Sequence, residues 1–273
     1  MSGNFSWIAE IFSYGFMQRA LLTGALLAVF SGLISVFIVL RRVSFLGSGI
    51  SHAAFGGVSI GFLLGINPLI TALAYSVVVA FGIEQISTKG RLAEDTAIGI
   101  FFSSSMALGI VLIGLSPDYN VDLFGYLFGS ILAVTGDDAI VAVCITAFLT
   151  GVIFLIMKEL LYITFNEELA FVSGIRIRLV KSIFLLSMAV AIVVGIKLVG
   201  IILISALLVI PGAAAQLLTR RFSRMVIASC LISLFAAVSG ILVSYRFNLA
   251  PGGTIVLVLA AIFFAVFFAR TKR

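Results

Sequence analysis

The chain is a succession of long apolar runs separated by short polar segments. The first run covers about residues 16–40, and further runs cover about 44–66, 69–86, 96–115, 138–157, 225–245 and 253–268. A helix that crosses a bilayer needs about 20 mostly apolar residues, whereas a strand of an outer-membrane barrel alternates polar and apolar residues. Because the runs are continuous, the pattern predicts an all-α, polytopic helical membrane protein.

One further stretch, residues 179–218, is apolar except for Lys197 and a few small polar residues. As one helix it would extend about 60 Å, twice the thickness of the hydrocarbon core. We therefore expect two spans that turn near Lys197, for a total of about 8–9 transmembrane helices. Nine is the simplest count, and eight applies if one early span is re-entrant. The segment 123–134 is too short to cross and is expected at the outer interface or partway into it.

Composition and charge agree with this prediction. The chain is 62% hydrophobic and only 10% charged, against about 25% charged residues in a typical soluble domain. Its basic residues cluster beside the spans, in residues 41–42, 89–91, 176–181, 220–224 and 270–273. Cytoplasmic loops carry such clusters, so the net charge of +6 reports orientation and not nucleic-acid binding. With nine crossings the N-terminus lies outside and the C-terminus is cytoplasmic.

The single histidine, His52, falls inside the second apolar run. In a helix that begins near Ser44 it would lie about 12 Å from the cytoplasmic edge. Ser44 and Ser48 precede it at four-residue spacing, so the three side chains share one face. A polar face in lipid turns towards the bundle interior or an aqueous path, and neutral imidazole commonly binds zinc and other transition metals. His52 is a candidate ion ligand, with a hydrogen bond to a neighbouring carbonyl as the alternative.

The same run contains a stripe of small residues at Gly57, Gly61 and Gly65. Glycines four residues apart let the backbone of another helix approach closely. We expect these three positions to be helix-packing sites.

The segment 163–178 carries charges between two apolar runs, on the predicted cytoplasmic side. Asn166 suits a helix N-cap, Glu167 and Glu168 suit the positive end of a helix, and Gly174 suits its C-terminal stop. We expect a two-turn helix outside the membrane. Leu169 and its apolar neighbours would be unusual on a helix that faces only water, which indicates a docking surface for a soluble partner or, alternatively, an amphipathic helix resting on lipid headgroups.

Signatures of catalysis are absent from the sequence. It contains no G-x-x-x-x-G-K-[ST] phosphate-binding loop, no H-E-x-x-H and no G-x-S-x-G. We expect that the chain is not an enzyme and does not hydrolyse nucleotide itself.

Five stretches resemble the permease subunits of zinc-, manganese- and iron-type ABC importers, in order and over nearly the whole chain. They are "RRVSFLGSGISHAAFGGVSIGFLLG" (41–65), "DLFGYLFGSIL" (122–132), "FNEELAFVSGI" (165–175), "VGIILISALLVIPGAAA" (199–215) and "APGGTIVLV" (250–258). The resemblance implies a single transmembrane permease domain over residues 1–273 of a multi-pass protein in a prokaryotic cytoplasmic membrane.

The resemblance also implies partners. It predicts a homodimer, two cytosolic ATPase subunits that bind ATP, and an extracytoplasmic metal-binding protein that delivers the ion. Residues 165–175 would form the coupling helix that docks into the ATPase, through the positions Asn166, Glu167, Glu168, Leu169, Ala170, Phe171 and Gly174. No permanently bound cofactor is expected, since the metal ion is the transported substrate.

The chain departs from the family at one candidate ligand. Manganese-type members usually carry an aspartate four residues before the histidine, where this chain has Ser48. Two copies of His52 across a dimer axis would offer nitrogen ligands without a carboxylate, which favours zinc slightly over manganese or iron. Asp118 and Asp122, in the predicted outer loop, could attract cations to the entrance.

Two other kinds of transporter remain as alternatives. A siderophore- or cobalamin-type ABC permease would need a wider pore than these narrow, phenylalanine-rich spans indicate. An ion-coupled secondary transporter would need intramembrane carboxylates, whereas Glu84, Asp137 and Asp138 all fall close to predicted span ends.

Overall fold

The computed structural model describes residues 13–90, 92–115, 129 and 131–271. These residues form eleven α-helices and one short 3-10 turn, with no strand among them. The helices are α1 (Gly15–Leu40), α2 (Leu46–Leu64), α3 (Pro68–Gly90), α4 (Glu94–Gly114), α5 (Gly136–Phe165), α6 (Glu167–Val172), α7 (Ile177–Val199), α8 (Ile201–Leu207), α9 (Ile210–Leu218), α10 (Phe222–Phe247) and α11 (Pro251–Thr271), with the 3-10 turn at Ile131–Ala133.

The described part of the chain contains nine candidate membrane spans, one of which is α8 and α9 together. This confirms the all-α prediction and the count of nine. Helices α1, α2 and α7 are mostly buried inside the bundle, whereas α5 and α11 expose most of their apolar surface at its periphery. The helix that carries His52 is therefore a central one.

The long apolar stretch 179–218 breaks at a glycine. Helix α7 ends at Val199, and Gly200 takes a φ of +85°, a backbone conformation that favours glycine. Lys197 lies one turn earlier, close to the predicted turn, and its ammonium donates a hydrogen bond to the carboxylate of Asp138. This ion pair ties α7 to the start of α5.

A second break separates α8 from α9. Pro211 lies in the first turn of α9, where its missing N–H costs no helical hydrogen bond. The next N–H, of Gly212, donates to the Ser35 hydroxyl of α1 over 2.8 Å, so the break is held against the central helix.

Helix packing depends on small residues at close approaches. A Cβ on Gly32 of α1 would lie 2.9 Å from the Cα of Cys230 in α10, and the Ser229 hydroxyl donates to the Gly32 carbonyl over 2.6 Å. In lipid, such close backbone contacts and interhelical hydrogen bonds contribute much of the association between helices.

Several basic clusters meet at one end of the bundle. Arg41, after α1, pairs with Glu94 at the start of α4 over 3.0 Å. Lys181 of α7 lies 3.4 Å from the same carboxylate, and Arg270 near the end of α11 donates to the Leu217 carbonyl of α9. The clusters thus share one end, as expected if that end is cytoplasmic.

Candidate functional site

His52 lies on α2 beside Phe102 of α4. The two ring centroids are 4.8 Å apart and the ring planes meet at 84°, an edge-to-face contact. The imidazole Nδ1 is buried and has no hydrogen-bond partner among the described residues. This differs from the alternative of a histidine held by a neighbouring carbonyl, because no described residue bonds to the ring. An imidazole nitrogen that has no hydrogen-bond partner in the protein is a candidate ligand for a transported ion.

A groove between α2 and α4 runs beside this histidine. Ser48, one helical turn before His52, lines the groove from α2, and Phe102 lines it from α4. Asp95 in the first turn of α4 and Ser103 also line it. The groove is therefore walled by a carboxylate and hydroxyl groups as well as by apolar carbons.

Close contact between α2 and α4 forms the floor of the groove. A Cβ on Gly49 would lie only 2.2 Å from the Ile98 Cγ2, so only glycine fits at this crossing. Further along, the ring of Phe55 lies against Gly109 in the same way. The two helices are thereby held in contact along their length, with His52 and Phe102 at the same level.

Sequence reasoning did not single out Asp95. Its signal is the spacing of Asp95, Gly99 and Ser103, which lie four residues apart and so share one face of α4. This polar, small-residue face of α4 matches the face that carries Ser48 and His52 on α2. Pairing the two periodic faces would have placed Asp95 in the groove.

One chain does not complete a conventional metal cage. Within the described residues, no group of three or more His, Cys, Asp and Glu side chains could hold an ion together. An ion at His52 would therefore take further ligands from water or from a second copy of the chain. Asp118 and Asp122 lie outside the described residues, as does nearly all of the segment 123–130.

The glycine stripe of α2 behaves as predicted at two of its three positions. A Cβ on Gly57 would lie 2.7 Å from the Cα of Ala72 in α3, and a Cβ on Gly61 would lie 2.4 Å from the Thr71 hydroxyl. Gly65 has nothing within 4 Å of its Cβ position and a φ of +65°, because it terminates α2. The prediction of a packing role at Gly65 was wrong, since the left-handed C-cap conformation favours glycine without any close neighbour.

Helix α6 occupies the segment expected to lie outside the membrane. The Asn166 side chain accepts a hydrogen bond from the Leu169 N–H over 2.9 Å, and Gly174 takes a φ of +80° after the last turn. The predicted N-cap and C-terminal stop are thus both present. Glu167 and Glu168 occupy the first turn, where their charge suits the helix dipole.

The two sides of α6 differ sharply. Leu169, Phe171 and Val172 are 63%, 74% and 83% exposed. Ala170 is fully buried against the bundle, so its expected contact with a docking partner is wrong. A six-residue helix cannot turn all its residues outward while it packs on α5 and α7. Three exposed apolar side chains on a capped helix form a compact candidate docking surface.

Nine candidate spans among the described residues, a groove lined partly by polar side chains beside a histidine within the spans, and a capped helix outside them are the architecture of a transport permease. The chain belongs to the ABC 3 transport family, whose model matches residues 13–270.

Relatives and a solved structure resemble the chain over nearly its full length. The "Manganese transport system membrane protein MntC" of Listeria innocua is 37% identical over 98% of this chain and 95% of its own. The "Manganese import system permease protein ScaB" of Streptococcus gordonii is 36% identical over 98% and 96%. A solved structure, "PsaBC from Streptococcus pneumoniae in complex with Fab", superposes with a TM-score of 0.82 at 35% identity, over 95% of each chain.

These findings confirm that the chain is the permease subunit of an ABC importer. Such importers carry their ATPase activity on separate subunits, so the chain works with an ATPase and a substrate-binding partner. It is a multi-pass membrane protein of a transport system. The chelate-type permease and the secondary transporter are not favoured, and the slight preference for zinc is not confirmed.

Proposed function

We propose that the chain forms a homodimeric permease that imports a divalent transition metal ion across a prokaryotic cytoplasmic membrane. The observation that carries this proposal is the imidazole of His52, which is unpartnered at Nδ1 and lies in a central helix beside a groove lined partly by polar side chains. Intramembrane ionisable groups that face a bundle interior commonly mark an ion path. His52 serves as a transient ligand, because a transport site must also release its ion.

The groove between α2 and α4 forms the cytoplasmic half of the ion path in this proposal. Asp95 is seven residues before Phe102 on α4, about 10 Å closer to the cytoplasmic end than His52. An ion that leaves His52 passes the hydroxyl of Ser48 and then reaches this carboxylate. Asp118 and Asp122 would attract cations at the opposite entrance.

Helix α6 is the coupling helix in this proposal, and it docks into a cytosolic ATPase subunit. Its exposed Leu169, Phe171 and Val172 support this role, as does the cap that keeps so short a helix folded. ATP binding and hydrolysis on the two ATPase subunits drive the dimer between outward and inward access. An extracytoplasmic binding protein delivers the metal.

Manganese is the first candidate ion. The named relatives belong to manganese systems, and Asp95 adds a carboxylate to the groove, which is a ligand type that suits manganese. Zinc is the second candidate, because His52 and Ser48 themselves provide nitrogen and hydroxyl groups without a carboxylate at that level.

The test is element-resolved metal accumulation in cells that express the chain with its ATPase and binding protein. Cells with an ATPase that binds but does not hydrolyse ATP serve as the control. ATP-dependent accumulation of manganese, zinc or iron supports the proposal and identifies the ion. Accumulation of no divalent transition metal above the control would overturn metal-ion import.

A further inference from the structure

Four charged side chains of alternating sign connect α6 to the start of α4. Glu167 of α6 pairs with Lys181 of α7 over 2.9 Å, and Lys181 lies 3.4 Å from Glu94 of α4. Both oxygens of Glu94 accept hydrogen bonds from Arg41, over 3.0 and 3.1 Å. We call these four residues the charge chain. It joins four separate helical segments of the fold.

The charge chain is most exposed at α6 and most buried at Arg41. The exposed fraction of the side chain is 54% at Glu167, 18% at Lys181, 27% at Glu94 and 8% at Arg41. Arg41 is further anchored by the Phe184 ring, whose centroid lies 5.5 Å from the guanidinium carbon. Exposed ion pairs contribute little to stability, but removing one member of a buried network leaves its partners uncompensated. Loss or displacement of one member of the charge chain therefore affects the other members.

Helix α4 connects the charge chain to His52. Glu94 lies in the first turn of α4, and Phe102 is eight residues further on, about 12 Å along the axis. Phe102 touches the His52 ring, and the tight crossing at Gly49 and Ile98 lies between the two levels. A shift of Glu94 along or across the helix axis would move Phe102 relative to His52, because packed helices move as rigid elements.

We infer that Lys181 is a positioning residue for transport, which transmits movements of α6 to the groove between α2 and α4. It is the only member of the charge chain that touches both Glu167 on the docking helix and Glu94 on the groove helix. This inference rests on the proposed docking of the ATPase at α6. It assigns to Lys181 a role in coupling hydrolysis to import, and no role in binding the ATPase or the ion.

The test uses the complete transporter with its ATPase subunit, reconstituted in lipid vesicles together with the binding protein. Lys181→Met removes the charge and keeps most of the apolar stem, and Lys181→Arg keeps the charge. Lys158→Met is the matched control, because Lys158 is exposed and pairs with no acidic side chain in the described part of the chain. ATPase co-purification, ATP hydrolysis and metal uptake are measured for each variant.

For Lys181→Met we expect normal co-purification of the ATPase and about twofold to thirtyfold fewer ions imported per ATP hydrolysed, the range by which residues between two coupled sites typically change the coupling. Lys181→Arg should restore most of the ratio, and Lys158→Met should leave it unchanged. An unchanged ratio in Lys181→Met overturns the inference. Loss of ATPase binding also overturns it, because Lys181 would then be a docking residue.

Glu94→Gln provides an independent break in the charge chain, away from α6. It should lower the ratio in the same way, and the double variant with Lys181→Met should be no worse than either single variant, since residues of one network are not additive. Additive losses would overturn a shared route. Measurements on the wild-type complex distinguish failure of this inference from failure of the proposed function. If the wild type shows no ATP-dependent metal uptake, the proposed substrate is wrong. If the wild type does not bind the ATPase, the proposed docking at α6 is wrong.

Discussion

The imidazole of His52 and the ring of Phe102 meet edge to face, with their centroids 4.8 Å apart. Edge-to-face aromatic contacts are worth about 0.5–1.5 kcal/mol beyond the burial of the rings, enough to favour one orientation of a side chain. The orientation of His52 is thus set by packing and not by a hydrogen bond to a described residue. No described residue occupies a ring nitrogen, and the ring packs against α4 through Phe102.

Replacement of His52 by alanine should abolish metal uptake while the transporter still assembles. The variant removes the only imidazole of the chain, and it breaks no hydrogen bond to a described residue, so we expect little loss of folding. Uptake of radioactive manganese and zinc measures the first effect, and co-purification of the ATPase measures the second. Normal uptake at equal expression would remove His52 from the mechanism.

Restoring a carboxylate with Ser48→Asp should shift the metal preference towards manganese. Ser48 is half-buried in the wall of the groove, so a slightly larger side chain can be accommodated. A carboxylate suits manganese better than a hydroxyl does. The ratio of manganese to zinc uptake is the measurement, and Ser48→Asn is the matched control, with nearly the same shape and no charge. Equal ratios in the aspartate and asparagine variants would show that selectivity is set elsewhere.

Local sequence patterns predicted the features of this fold that depend only on residues close together in the sequence. The apolar runs predicted the spans, and Asn166 and Gly174 predicted the two ends of α6, because a helix cap acts within a few residues of itself. The break after Val199 was predicted near Lys197, where the charge stood out, although the conformation that ends the helix belongs to Gly200. Both residues signal the end of a span, for different physical reasons.

Features that depend on how helices pack could not be predicted in the same way. Hydropathy sets the length of a span but not its rotation, which is decided by neighbouring helices. Asp95 was therefore not singled out, although it lines the same groove as Ser48. The contact between Arg41 and Glu94 joins residues that are 53 positions apart, and no periodic pattern links them. Ala170 was misplaced for the same reason, since its burial depends on α6 packing against the bundle.

Replacing both Leu169 and Phe171 with lysine should prevent co-purification of the ATPase subunit. These side chains are 63% and 74% exposed, so the charges disrupt an apolar docking surface without burying a charge in this chain. The hydrogen bond of Asn166 to the Leu169 N–H uses only backbone at that position, which leaves the cap of α6 intact. Pull-down of the ATPase from detergent extracts, at equal amounts of permease, measures the effect. Undiminished binding would count against α6 as the coupling helix.

The close approach of α2 and α3 provides a test of the fold itself. In Gly57→Ala, the new Cβ would lie 2.7 Å from the Cα of Ala72 and 2.8 Å from the Thr71 carbonyl oxygen, so backbone must move. We expect a loss of about 1–3 kcal/mol in stability, as for other overpacked sites, and a lower unfolding temperature in detergent. Gly151→Ala is the matched control, because nothing lies within 4 Å of that Cβ position on α5. Alanine is the better helix former, by up to about 1 kcal/mol, so the control should unfold at an equal or higher temperature.

Because α2 also carries His52, separating α2 from α3 should lower metal uptake together with stability. A Gly57→Ala variant as stable and as active as the control would mean that the two helices do not meet at this distance.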